Sequence, residues 1–499
     1  MPETNPTEYH QSREHFRHCP GVPEAPEWKT YWNQRLGQRL KNIGNRMPYL
    51  ARMDAAWLVM LHEQGVLPLE KIRPLFPVLH KARSERGWGG EAWIKQQLGG
   101  DEDGASLVNF GRTLQEPTFR MMMREAILFA IDEVLPTLEV LLEVADENLD
   151  TIMAGHSHWA HAQPTTYAQY LLAVHDGLAR GLEQLELAYR QTNLNSGGCG
   201  ACSGTGWPTD RERITELLGF DGTVEVAYDC EASQENILTA LFAASNLAIT
   251  LSRAALDFNV WVTEEWNLFT VDMSWRGVSS FMPHKANAGN KFEHIRMAVD
   301  DLLAQMQRGI YCFKNEPLQD ILPVYRSEAC LLEGLGHLEQ ALGTFRNGLR
   351  YTTPNKDRMW KLLTDGYSGS PDLVRHMIKH HDYAGREAHR ICATMVRLAR
   401  ERNIAPRDCT GALLDEAAEV SGDRKPGLTD EVVQKWMGLE HFLATHNNPG
   451  DPNPEQTGKL VELRRGRLAE LTTRQDARKA KLEEADRKLQ AAIDKLTSD

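Results

Sequence analysis

The most constraining feature of this sequence is a set of very long stretches that carry helical periodicity. Residues 119–150, FRMMMREAILFAIDEVLPTLEVLLEVADENLD, place apolar side chains on more than one helical face, as in a helix enclosed by neighbours. Residues 166–193, 233–266 and 291–313 read the same way, each longer than the roughly 8 to 20 residues usual in globular helices. Helices of that length with apolar surface all round must bury one another, so the expected fold is all-α around a central bundle. Pro136 is expected to bend the first of them. No run of alternating residues between turn signals reads as a strand.

Punctuation divides the rest. GWGGEAW and LGGDEDGAS, at residues 87–93 and 98–106, are loops by their Gly and Asp content, and DGYSGSP at 365–371 breaks the helical pattern again. The expected organisation is an N-terminal helical domain over 1–118, the bundle over 119–366, a C-terminal helical domain over 367–454 and a charged amphipathic helical tail over 455–499. The tail's leucines do not keep a strict heptad, which favours packing along its own subunit over a coiled coil.

With 69 acidic against 56 basic side chains the net charge is −13, which argues against nucleic acid or an anionic membrane as partner. The start, MPETNPTEYHQ, lacks a basic segment followed by an apolar one, and no stretch approaches about 20 uninterrupted apolar residues. Eight Cys are too sparse for a disulfide scaffold. These features lead to the expectation of a cytoplasmic, soluble protein that handles small molecules or protein partners.

Some motifs are weak. Cys199 and Cys202 form a CxxC without a second pair at zinc spacing, in a Gly-rich stretch that favours small-residue packing over redox or zinc chemistry. His156, His158 and His161 lack an accompanying acidic or Cys ligand, so no metal site is expected. More informative is GVSSFMPHKANAGNKFE at 277–293: two serines, a Met-Pro turn, then Lys285 and Asn287 ahead of a long helix. Such a loop can present hydroxyls, an ammonium and an amide to negative charge developing on a substrate.

Ser279, Ser280, Met282, Pro283, Lys285 and Asn287 resemble the GSSxMPxKxN signature of the fumarase/aspartase superfamily. Within it the chain is most similar to argininosuccinate lyase. HSHWAHAQPTTYAQYLL at 156–172, SGGCGACSGTGWPTDRE at 196–212, SPDLVRHMIKHHDYAGREAH at 370–389 and HFLATHNNPGDPNP at 441–454 resemble further segments of that family. The resemblance implies a three-domain all-α homotetramer whose active sites are shared between subunits, an anionic small-molecule substrate, and a β-elimination needing no cofactor or metal. By position Ser279 matches the catalytic base, and Lys285 and Asn287 the residues that hold the carboxylate gaining charge. His158 and Ser157 match the His and preceding Thr that contact the carboxylate or assist the leaving group; Ser280, Gln163 and Gln319 fall in matched substrate-binding segments. A serine is a poor base, so the loop must favour its anionic form.

The departures from the family pattern are specific. Val278 stands for the Gly before the serines, Ala288 for the Pro after the Asn, and Phe292 for a Glu, with Glu293 one place later. GRTLQEP at 111–117 replaces GRSRNDQ: Thr113 for Ser, Leu114 for Arg, Gln115 for Asn, Glu116 for Asp. Losing that Arg removes a bidentate partner for the succinyl end, with Arg112 the nearest replacement. The expectation is C–N cleavage releasing fumarate from a succinate-like acid other than argininosuccinate. The alternatives are phosphate elimination from phosphosulfolactate and a non-catalytic homologue.

Overall fold

A computed structural model describes residues 37–498 apart from 88, 114, 115 and 280, and gives only the backbone of Glu116, Ala286 and Asn287. The fold is all-α. Helix α1 (Met47–Glu63) is buried along almost its whole length and packs on the start of α2 (Glu116–Asp146), which runs unbroken through Pro136. A hairpin of β1 (Ile152–Ser157) and β2 (Ala160–Thr166) leads into α3 (Tyr167–Thr192), capped by Thr166 Oγ1, which accepts from Gln169 N at 3.3 Å. Helix α4 (Asn236–Trp261) follows, then a short ladder of β3 (Gly277–Val278) and β4 (Ala286–Asn287), then α5 (Asn290–Tyr311) and α6 (Leu322–Arg350).

Helices α2 to α6 form the bundle, each packed on its sequence neighbour, with α6 closing back onto α2 and α4. Helix α4 is long and apolar enough by composition to cross a membrane, yet it packs against α3, α5 and α6. The bundle is sealed at one end by aromatic side chains: Phe258 stacks on Phe292 with centroids 5.0 Å apart, and Trp261, Phe269 and Tyr167 meet it edge-on or tilted. Each such buried ring contributes about 1.5 to 3 kcal/mol by leaving water.

Beyond the bundle come α7 (Lys356–Thr364), α8 (Ser370–His381), α9 (Gly385–Glu401), α10 (Gly411–Ser421) and α11 (Asp430–Met437). The last four share a separate core around Met377, Ile391, Met395 and Leu414. The tail is one 44-residue helix, α12 (Pro454–Thr497), laid along its own chain on α2 and on the short helix Arg211–Leu218. Its Val461 and Leu489 enter the main core, Gln475 donates to Leu128 O at 3.0 Å, and Arg464 grips Asp176 with two hydrogen bonds of 2.7 and 2.5 Å.

Candidate active site

The serine loop is built as a tight Ω-shaped excursion between β3 and β4. Ser279 N donates to Lys285 O at 3.1 Å and Lys285 N to Met282 O at 3.0 Å, closing the turn that Pro283 stiffens. Inside it the Ser279 hydroxyl oxygen accepts two backbone N–H groups, from Phe281 at 3.2 Å and Met282 at 3.0 Å. Two preorganised donors on one oxygen are what an alkoxide requires, since each stabilises the charged form more than the neutral one. Lys285 is exposed on the same loop, and α5 follows with the partial positive charge of its N-terminus. Asn287 pairs through its backbone with Gly277. Ser280 lies outside the described residues.

The local departures from the family pattern have physical counterparts. Val278 sits in strand β3, where extended backbone suits a β-branched residue, and Ala288 joins an apolar cluster with Val262, Val271, Trp275 and Tyr351. Asn259 at the end of α4 ties the exit of the loop, donating to Gly289 O at 2.7 Å. No bulge restores the family Glu: α5 is continuous, Phe292 is fully buried against Phe258, and Glu293 beside it is exposed.

His158 and Trp159 form the two-residue turn of the β1–β2 hairpin, both left-handed, with φ of 53° and 64°. Two positive φ values define the turn that matches strand twist, which Asn-Gly usually supplies. Holding His and Trp there stores strain of a kind found at functional positions. Ser157 and Gln163 are exposed on the two strands. The stem is anchored by His156, whose ring lies 5.4 Å from Trp266 and 5.1 Å from His161. Burial and the neighbouring His161 hold His156 below its ordinary pKa, and burial raises Asp257 against the opposing pull of its Tyr170 hydrogen bond of 2.8 Å.

Both of these motifs flank the C-terminal end of α4. The others flank its beginning. Arg120 at the start of α2 donates to Gln191 O and Ser233 O, and Asn236 donates to Thr192 Oγ1 at 2.8 Å, fixing the start of α2 beside the ends that join α3 to α4. Gln319 is exposed between α5 and α6 at this same end, where Tyr228 donates to the neighbouring Leu318 O at 2.9 Å. The 26 residues of α4 span about 39 Å at ~1.5 Å each, so a single chain keeps the two groups apart.

Arg112 is 8% exposed, donates to Val108 O and Thr113 O at 3.1 and 2.8 Å, and pairs with buried Asp54, so its guanidinium is held within its own chain. Gln115 and Leu114 lie outside the described residues. Thr113 donates to Glu231 Oε1 at 3.3 Å, an acid that sequence reasoning missed because folding brings it across 118 residues. Among the described residues no three His, Cys, Asp or Glu side chains gather to hold a metal ion.

Residues 92–300 match a family model described as lyase. Argininosuccinate lyase of Methanothrix thermoacetophila is 28% identical over 468 residues, covering 89% of this chain and 93% of the relative. That of Methanococcoides burtonii is 29% identical over 427 residues, covering 83% and 82%. Among solved structures, an EDDS lyase variant with bound fumarate superimposes with a TM-score of 0.85 at 24% identity, covering 96% and 97% of the two chains. Class II fumarase from Schistosoma mansoni gives 0.64 at 17% identity, over 83% and 97%.

Proposed function

We propose, for a chain that belongs to the fumarase/aspartase superfamily as an argininosuccinate lyase-like lyase, that it cleaves the C–N bond of an N-substituted succinate-like acid other than argininosuccinate and releases fumarate. The observation that carries this reading is the Ser279 hydroxyl, receiving two backbone N–H groups in a loop that also presents Lys285. In the proposed reaction Ser279 as alkoxide takes the proton from the carbon next to a carboxylate. Lys285 and Asn287 hold that carboxylate as it gains charge, and His158 with Ser157 serves the leaving amine. A positioned base contributes about 10² to 10⁴ in rate, and each charge-stabilising donor a further few kcal/mol.

The proposed working form is a homotetramer with shared sites. Three of the separated motifs carry large exposed apolar side chains: Trp159 at the hairpin tip, Phe281 in the serine loop, Leu318 and Leu322 beside Gln319. Helix α4 adds an uncovered stripe, Phe242, Ile249 and Leu256, at seven-residue spacing, which suits burial by a second helix. The loss of the succinyl-binding Arg at Leu114, with Arg112 committed to Asp54, supports a substrate different from argininosuccinate.

The test is a panel of N-substituted aspartates, argininosuccinate and phosphosulfolactate, read for fumarate absorbance and free phosphate together. Fumarate from an N-substituted aspartate other than argininosuccinate is the expected result. Argininosuccinate as the best substrate would overturn the substrate assignment, phosphate without fumarate would overturn C–N cleavage, and silence in both channels would favour a non-catalytic homologue.

A further inference from the structure

The CxxC of the sequence does not pair with itself. Cys199 is fully buried and packs in one small cluster with Val224 and with Cys230, which stands on the short helix Ala227–Ala232. Each sulfur also has a charged partner of opposite use. Cys199 Sγ donates to Glu231 Oε1 at 3.2 Å, and Arg211 Nη2 donates to Cys230 Sγ at 3.4 Å. Arg211 is itself fixed, with Nε donating to Gly197 O at 2.8 Å and Nη2 to Val224 O at 2.7 Å, so it clamps the segments that carry both cysteines.

Cysteines that only fill space behave differently in this chain. Burial pushes the Cys392 thiol up to about 12, and the Cys330 and Cys409 thiols up to about 11. Cys230 moves the other way: the neighbouring Cys199, with Arg211 and Arg120 alongside, holds its thiol below the ordinary value in spite of burial. A thiolate-favouring sulfur beside a second thiol that already points its hydrogen at a carboxylate is the arrangement for thiol–disulfide exchange.

We propose that Cys199 and Cys230 form a reversible dithiol–disulfide site oxidised by a low-molecular-weight disulfide. The Cys230 thiolate attacks one sulfur of the small disulfide, forming a mixed disulfide and releasing one thiolate. Cys199 passes its proton to Glu231 and attacks the Cys230 sulfur, breaking the mixed bond and releasing the second thiolate. Two protein thiols are oxidised to one disulfide while one small disulfide is reduced to two thiols. Access is over the surface loop that holds Ala201 and Ser203, both exposed. Closure withdraws Cys199 Sγ from Glu231 Oε1, the same oxygen that accepts from Thr113, so oxidation alters the partner of the 111–117 segment directly.

The test equilibrates the full-length protein in glutathione buffers from reduced to oxidised, traps free thiols by alkylation and maps the peptides by mass. The expected product joins Cys199 to Cys230, reopens with dithiothreitol and still forms in Cys202→Ser. In Glu231→Gln the second step loses its proton acceptor, so glutathione accumulates on Cys230 and closure slows by tenfold or more. A Cys199–Cys202 bond, glutathione confined to Cys202, or both thiols remaining alkylatable in the oxidised buffer would overturn the proposal. The readout is covalent and independent of turnover, so it stands apart from the lyase reading.

Discussion

Replacing Ser279 with Ala separates chemistry from folding more cleanly than any other change in this chain. The hydroxyl accepts two hydrogen bonds, from Phe281 N and Met282 N, and a typical bond contributes about 1 kcal/mol net. That would suggest a loss near 2 kcal/mol if the two N–H groups were left dry. They are not, because Phe281 is 86% and Met282 42% exposed, so water replaces the lost acceptor and the cost falls below about 1 kcal/mol. In a chain of this size that moves the melting midpoint by no more than about 2 to 3 °C. The rate, by contrast, loses the positioned base entirely, a fall of about 10² to 10⁴, equivalent to roughly 3 to 5 kcal/mol in the barrier. The assay is kcat/KM from fumarate absorbance beside a thermal melt and sedimentation of the assembled protein. Turnover within tenfold of the native enzyme, in a variant that melts and assembles normally, would refute the assignment of Ser279 as base.

Lys285→Ala is expected to raise KM and lower kcat together, because the ammonium faces the carboxylate in both substrate and intermediate; a change in KM alone would restrict it to binding. Phe292→Ala should cost about 3 to 5 kcal/mol in urea unfolding by emptying the space stacked on Phe258, and Phe292→Glu should fail to fold, since the helix offers that charge no partner there. Arg464→Ala should destabilise by about 1 kcal/mol by releasing α12 from Asp176. Against the opposing effect of burial, Arg464 and His175 hold the Asp176 carboxyl below the usual carboxylate range. A depressed carboxyl contributes stability above its unfolded value near 4 and loses it on acidification, so the deficit of Arg464→Ala, full at pH 7, should shrink below about pH 4.

The long helices were legible because their apolar residues recur on several faces, and α2 to α5 fall within a few residues of the periodic segments. Helix α6 is glycine-rich and was not singled out in the sequence. In the fold its glycines mark close approach: a side chain at Gly334 would press on Leu241 and one at Gly348 on Phe292. The β1–β2 hairpin also escaped notice. Its outer residues, from His156 to His161, are all exposed, so no alternation exists to be read, and its turn uses His-Trp where local chemistry favours Asn-Gly. The loop that carries Ser279 and Lys285 was legible because it is one contiguous segment. Glu231, Arg211 and Cys230 meet Thr113 and Cys199 only through folding, and sequence cannot show that Asp54 already holds Arg112.

The placement of the motifs turns assembly into a measurable part of the chemistry. The serine loop and the His158 hairpin flank one end of α4 and the start of α2 the other, about 39 Å away, so the site proposed above draws on more than one copy of the chain. If Ser279 and His158 of one site also come from different copies, mixing two dead variants restores activity. A Ser279→Ala protein and a His158→Ala protein, unfolded together and reassembled in equal amounts, would give about one site in four with both residues native. The expected outcome is recovery of roughly a quarter of native turnover, rising with reassembly and absent when the two preformed proteins are mixed without dissociation. If the two residues instead act within one chain, every site carries one defect and the reassembled mixture stays dead, which would leave the serine loop and the hairpin working in cis and confine sharing to the 111–117 segment.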